Sequence, residues 1–393
     1  MREALHADSR WRNPEQRRAL NARLLAHLYE RFQGAEAIEQ QRIWSDLIYV
    51  QRYNAGLRPF YEWSAVTTAF AEPKRPDDDA AMIEMTARHE GEASAQLARY
   101  WLRKQPAAFL AWRDLAGRLI GFMAHLRLDL IDDEDRRIDP AIEPALAHMR
   151  THGAARAGEQ VIHLRFWMAR DDYQSNPATM NVLAAKSCAC WTTQPALAWN
   201  FGTVADPAHF EPMFTSIHLR RAPLADFEVG GRRYGVFAHD WRVETVAQWM
   251  MTKVDRASHV EASVAVEPVA PLLVLSNADF AEAVRQALRD YARGDALQRN
   301  LLLRTRLLHG GGACAGPDAL RKLLREAAQA LEEGTPMDRK LHLAVWHTYL
   351  QPAATQERAA ELLDLPFNTY RYQLARGTQR IAEWLWRREV AGL

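Results

Sequence analysis

The stretch "EQVIHLRFWMARDDYQSNPATMNVLAAKSCACW", residues 159–191, decides the fold. In its first half Val161, His163, Arg165 and Trp167 alternate with Ile162, Leu164, Phe166 and Met168, which is the period of a β-strand. The second half, from Pro177 onward, reads as a helix. Before it, residues 107–128, "AAFLAWRDLAGRLIGFMAHLRL", are two apolar runs joined by Asp114-Leu115-Ala116-Gly117, the signal of a hairpin. After it come a strand-like "ALAWNFGTV" (196–204) and a helix-like "PAHFEPMFTSI" (207–217). A second hairpin, "DFEVGGRRYGVFAHDW" (226–241), turns at Gly230-Gly231. This order predicts an α/β (α+β) chain with a mixed sheet and helices packed on it.

The flanks are helical. Leu20, Leu24, Leu28 and Phe32 fall four apart on one face. A breaker-rich "AEPKRPDDDAA" (71–81) opens a helical segment running to about Leu102, and "DDEDRR" (132–137) reads as a solvated turn. His89-Glu90 and His239-Asp240 read as surface or strand-end pairs. Beyond residue 277 no strand pattern remains. Ser276 is placed to cap a helix carrying Phe280, Val284, Leu288 and Tyr291, and Pro317 opens one carrying Leu320, Leu324, Ala327 and Leu331. A third helix is expected from about Met337 to Leu350. Five segments follow: 1–58 helical, 59–246 α/β, 247–276 connector, 277–336 helical, and 337–393 a terminal helical module.

Composition narrows the function classes. The chain has 393 residues, 48% hydrophobic and 25% charged, with a net charge of +1. That balance argues against a protein that coats nucleic acid non-specifically, because such binding is driven by phosphate neutralisation. Cys188, Cys190 and Cys314 match no common zinc spacing, so no metal site is expected. No apolar h-region follows the N-terminus and no apolar run approaches 18 residues, so a soluble, cytoplasmic protein of bacterial type is expected. No P-loop, dinucleotide, zinc-protease or nucleophile-elbow pattern occurs, and "HGGG" (309–312) reads as a connector between helices.

The strand and helix order over about 60–246 resembles the GNAT acyltransferases. In that family the loop after the fourth strand, [RQ]-x-x-G-x-[GA], cradles the pyrophosphate of acyl-coenzyme A at a helix N-terminus. The corresponding stretch here is "QSNPAT", in which Gln174 and Ala178 fit and Pro177 stands at the first glycine. Proline has no N–H to offer, so the resemblance implies a weakened coenzyme site unless Ser175 and Asn176 cradle the phosphates. By this resemblance the acyl-CoA or acetyl-CoA contacts would be Met168, Arg170, Gln174, Ser175, Asn176 and Ala178. The family's base and acid positions offer His163 and His218 as the catalytic candidates.

Near the C-terminus, "TQERAAELLDLPFNTYRYQLARG" (355–377) reads as two helices. Thr355 is the N-cap of the first, Asp364-Leu365-Pro366 form the turn, and Tyr370, Leu374 and Ile381 face inward on the second. Over about 340–388 this pattern resembles the helix-turn-helix of region four of bacterial sigma factors. That resemblance implies a second helix in the major groove, with Phe367, Asn368, Arg371 and Tyr372 leading and Arg358 and Arg376 at phosphate. Residues 355–393 hold six arginines (358, 371, 376, 380, 387, 388) against five acids (357, 361, 364, 383, 389). Contact with duplex DNA would therefore be modest and shared with a protein partner or a second copy. Three functions stay open: a transcription regulator with a ligand-sensing α/β domain, an acyl-CoA-dependent N-acyltransferase docking a protein through its tail, and a non-catalytic scaffold.

Overall fold

The computed structural model describes residues 14–33, 56–61, 69–175, 177–194, 196–244, 272–309 and 316–391, with Ala35, Glu39, Arg42, Ile43, Asp46 and Trp249. Cys314, Gly310–Gly312 and most of the expected 247–276 connector lie outside these residues. The chain divides into two compact units. The first comprises Met1–Thr151 with Ala157–Val264, and the second His152–Arg156 with Ala265–Leu393.

The first unit is mixed α and β. Helix α1 (Pro14–Gln33) precedes β1 (Ala69–Pro73), α2 (Asp78–Glu90) and α3 (Glu92–Lys104). Next come β2 (Phe109–Asp114), β3 (Leu119–Arg127), α4 (Asp133–Ile138), α5 (Ile142–His152), β4 (Gln160–Ala169) and α6 (Pro177–Thr193). Strand β5 (Leu197–Val204), α7 (Pro207–Ser216), β6 (Arg220–Arg221), β7 (Phe227–Val229) and β8 (Arg232–Asp240) complete it. The sheet order is β1-β2-β3-β4-β5-β8-β6, with β7 also on β8. Every pairing is antiparallel except β4 with β5, which are joined through α6. Strand β4 is buried along almost its whole length because helices cover both of its faces. On one face Trp112, Met123, Leu164 and Trp167 pack with Met180 and Leu183 of α6 and Phe210 and Phe214 of α7. On the other, Phe109 stacks with Phe122 and Phe166 at centroid distances of 6.1 and 6.5 Å.

Several expectations need correcting. The breaker-rich stretch begins as strand β1, which pairs with β2 from Ala69 opposite Asp114 to Pro73 opposite Leu110. The helical segment after it is two helices, parted at Gly91, whose φ of +90° suits glycine. "DDEDRR" is solvated at five of its six residues but forms helix α4 rather than a turn, and Asp135 is buried. Asp132 caps α4 and Asp135 returns the bond, while the Asp135 carboxylate, wholly buried, accepts from Tyr100 at 2.6 Å. Of the α1 stripe, Leu28 and Phe32 are buried but Leu20 and Leu24 are exposed. Glu90, expected at the surface, is buried, whereas His239-Asp240 does close strand β8 as a strand-end pair, with His239 buried.

The second unit is all helical: α8 (Asn277–Arg289), α9 (Pro317–Glu332), α10 (Pro336–Val345), α11 (Gln356–Leu362) and α12 (Phe367–Ala391), with short helical turns at Gly294–Leu297, Leu301–Arg304 and Arg306–His309. The Ser276 and Thr355 hydroxyls accept from Asp279 and Arg358 amides, as capping requires. Phe280, Val284 and Leu288 meet Leu320, Leu324 and Leu331 and the Tyr370, Leu374, Ile381 and Leu385 stripe in one core. The helix expected to reach Leu350 is α-helical only to Val345 and ends in a wide π turn, Trp346–Leu350. Between α11 and α12, Asp364 takes the left-handed conformation, φ +51°.

Helices α10 and α12 cross at Gly377. A Cβ there would lie 2.8 Å from Val345 Cγ2 and 2.9 Å from the Leu341 carbonyl oxygen. Alanine favours a helix over glycine by about 1 kcal/mol, but a backbone carbonyl cannot swing aside. Gly377→Ala is therefore expected to destabilise the second unit by about 1–2 kcal/mol, read as a lower urea midpoint at constant slope.

Candidate functional site

Strand β4 leaves its parallel neighbour part-way along. Pairing runs from Gln160 with Leu197 to Leu164 with Gly202, whereas β4 continues to Ala169 and β5 to Val204. On its other edge the pairing with β3 steps over Arg165, which forms a bulge. The opening between β4 and β5 is filled from within the chain. Trp167 donates from Nε1 to the Thr203 carbonyl at 2.6 Å. Gln174 spans the strand ends: its Nε2 donates to the Trp167 carbonyl at 3.5 Å, and its Oε1 accepts from the Ala205 amide at 3.0 Å.

The expected coenzyme residues scatter around this opening. Met168 is buried in the sheet and opposes Phe122 of β3. Arg170 is exposed, and its Nε donates to the Leu119 carbonyl at 3.1 Å. Ser175 is exposed but its amide is already bound to the Asp172 carbonyl at 2.9 Å. Ala178 sits behind Pro177 in the first turn of α6, and Asn176 lies outside the described residues. A pyrophosphate needs several converging N–H groups. Here the Ser175 N–H is taken, Pro177 has none, Gln174 is committed to the strand ends, and the exposed carboxylates of Asp171 and Asp172 stand beside them. Among the described residues, then, neither Ser175 nor Pro177 offers a free backbone N–H to an acyl-CoA pyrophosphate.

No bond among the described residues links the two candidate histidines. His163 is wholly buried on β4, with Nε2 in a 2.7 Å hydrogen bond to Thr203 Oγ1. Burial, with help from the Arg165 charge, pushes its pKa down to about 3, so it stays neutral near neutral pH and accepts protons poorly. His218 lies just past the end of α7 in a left-handed conformation, φ +62°. Its Nδ1 sits 2.9 Å from both Glu244 carboxylate oxygens, and its carbonyl is bonded to His239 Nδ1 at 2.8 Å.

Sequence reading missed a polar cluster inside the first unit. At the β4 bulge, the Nε of Arg165 lies 3.0 and 3.3 Å from the two oxygens of Asp139, and both side chains are fully buried. Trp101 Nε1 donates to the same carboxylate at 2.8 Å. Burial alone would raise the Asp139 pKa, but Arg165, the Ala141 amide and Trp101 hold it below the ordinary value. Close by, Glu90 accepts from Tyr173 Oη at 2.9 Å, and burial raises its pKa. Tyr234, wholly buried on β8, has its phenol pushed up to about 12, chiefly by burial. The available signal was an arginine inside an otherwise apolar run, "VIHLRFWMA".

In the second unit Phe367, Asn368, Arg371 and Tyr372 are all exposed on the first turns of α12, opposite buried Tyr370, Gln373 and Leu374. Arg371 forms no hydrogen bond or ion pair with any described residue. Arg358 is paired with Glu361 at 2.6 Å, and Arg376 donates to Gln379 at 2.9 Å. No protein-family model matches this chain, and no curated protein matches it in sequence.

Two outcomes follow from this geometry. Millimolar acetyl-CoA is expected to leave the melting midpoint of the protein unchanged in a thermal scan, because neither Ser175 nor Pro177 offers its phosphates a free backbone N–H. Stability is also expected to fall with acid. The unfolded chain protonates His163 near pH 6.5, whereas the folded chain resists to about pH 3. The contribution is whole above that upper value and is lost as pH falls through the window, by on the order of 1 kcal/mol per pH unit. Urea midpoints measured from neutral pH down to about pH 4 should fall less steeply for His163→Gln than for the parent.

Proposed function

We propose that this protein is a DNA-contacting transcription regulator whose α/β unit senses a ligand rather than transferring an acyl group. The observation that carries the reading is the leading face of α12. There a planar amide, an unengaged guanidinium and two aromatic rings stand exposed directly after a tight left-handed turn. A helix placed this way offers its N-terminal side chains to base edges, where Arg371 and Asn368 have donors suited to guanine and adenine. Arg376, and Arg358 once it leaves Glu361, would meet phosphate. We read α11, its turn and α12 as a helix-turn-helix of the sigma region-four kind. The small buried pair Ala359 and Ala360 supports this by letting the helices approach closely.

The same proposal takes the first unit as GNAT-like in fold. Its support is the helical pair between β1 and β2, the helix between parallel β4 and β5, and the parting of those strands beyond Leu164 and Gly202. The filled opening and the buried, neutral His163 favour sensing over catalysis.

The test is duplex binding by the full chain. A duplex selected from a random pool should bind with an affinity that falls steeply with salt, read by fluorescence anisotropy. Arg371→Ala should weaken it by about 1–3 kcal/mol and relax the preference at one base pair. Arg376→Ala should lower the salt slope by about one contact while leaving sequence preference intact. Absent or salt-insensitive binding would overturn the reading and leave a protein-docking module.

A further inference from the structure

Five polar atoms in one part of the first unit lack a partner among the described residues: Arg165 Nη1 and Nη2, Tyr234 Oη, Ser94 Oγ and Glu90 Oε2. They come from four separate elements: the bulge of β4, β8, the first turn of α3 and the end of α2. Ser94 and Tyr234 are 0% exposed, Arg165 is 1% and Glu90 is 8%. These groups are neighbours. Arg165 Cζ lies 6.0 Å from the Tyr234 ring, the Arg165 charge acts on Glu90, and the Ser94 hydroxyl is within hydrogen-bonding influence of both Glu90 and Tyr234. The two outer nitrogens of Arg165 are therefore the most clearly open of the five atoms. A buried polar atom left without a partner forfeits its solvation, and folded proteins leave few of them. Such a group, with the open Arg165 fork at its centre, points to a partner that the described residues do not supply.

We infer that this cluster binds a small organic acid bearing a second hydrogen-bonding group, such as an amino or hydroxy acid. The argument begins with the guanidinium. Asp139 occupies only Nε of Arg165 and leaves the paired Nη1 and Nη2 open, a planar fork that matches a carboxylate. Phe166 and Phe227 lie 4.4 and 4.6 Å from its Cζ and hold the guanidinium in place. Asp139 already balances the Arg165 charge, and Glu90 is a further carboxyl on which that charge acts. Burial favours the neutral form of Glu90, which spares the incoming anion a repulsion. The second group of the ligand, an amine or hydroxyl, then satisfies Glu90 Oε2, Ser94 and Tyr234. The inference deepens the sensing role proposed above by naming its site and ligand class.

The test uses the full chain in thermal scans with glycine, alanine, lactate and glycolate, and with propionate as an acid lacking the second group. A fitting acid at a hundredfold its Kd should raise the midpoint by about 5–8 °C, and propionate should raise it less. Arg165→Gln would strand Asp139 and risks unfolding the unit. The informative variants are therefore Ser94→Ala and Tyr234→Phe, which delete one hydroxyl each and leave the Arg165–Asp139 pair intact. Each should leave the unit folded without ligand, with a midpoint within a few degrees of the parent, and weaken the acid at least about tenfold. The inference is overturned if no acid shifts the midpoint, if the shift survives both variants unchanged, or if crystals soaked in the acid show only water at Arg165. Duplex binding is measured on the same samples without acid. Its loss with the acid shift intact would remove the DNA reading alone, and the converse would remove only this site.

Discussion

The ion pair between Arg165 and Asp139 is the constraint around which the first unit is organised. A charged pair with no solvent contact is tolerable only when its geometry is good and its other valences are met. Asp139 meets that condition through Trp101 and the Ala141 amide, which ties the connection between α4 and α5 to α3 and to the central strand. The β4 bulge follows from the same requirement. It lets Arg165 and Phe166 share one side of the sheet while Leu164 and Trp167 serve the core on the other. Loss of either charge would leave its partner stranded in the interior, so these two side chains stand or fall together.

The two sides of the sheet therefore divide the labour. One is an apolar core in which α6 and α7 cover Trp112, Met123 and Trp167 and close the gap between β4 and β5. The other carries the polar cluster among aromatic rings. Gln174, expected at a coenzyme, is instead a structural bridge between strand ends.

What was legible in the sequence was whatever depends on neighbours in the chain. The alternation at 161–168, the Gly230-Gly231 turn with φ of +58° and +79°, the Ser276 and Thr355 caps and the buried stripe of α12 are all local patterns. Strand β1 was not legible, because five residues ending in proline show no period and owe their conformation to pairing with β2. Asp135 and Glu90 looked like surface acids for a related reason. Their burial is set by Tyr100 and Tyr173, 35 and 83 residues away in sequence. The polar cluster fails the same way: apart from Arg165 in its apolar run no member stands out alone, and only the sheet brings strand, hairpin and helix residues together. The leading face of α12 was readable because a single helix carries it.

The wide turn at Trp346–Leu350 has a consequence for how the second unit tolerates changes in length. A helix that closes one turn around an additional residue shifts its phase by about 100° relative to an uninterrupted one. That shift brings Thr348 to Tyr370, with which it shares a hydrogen bond, while Thr348 also donates back to the Ala344 carbonyl at 2.7 Å. The turn thus behaves as an inserted residue absorbed without unravelling the helix. Deleting one residue there would straighten the helix yet rotate Thr348 away from Tyr370, so a shorter chain would be more regular and less well joined.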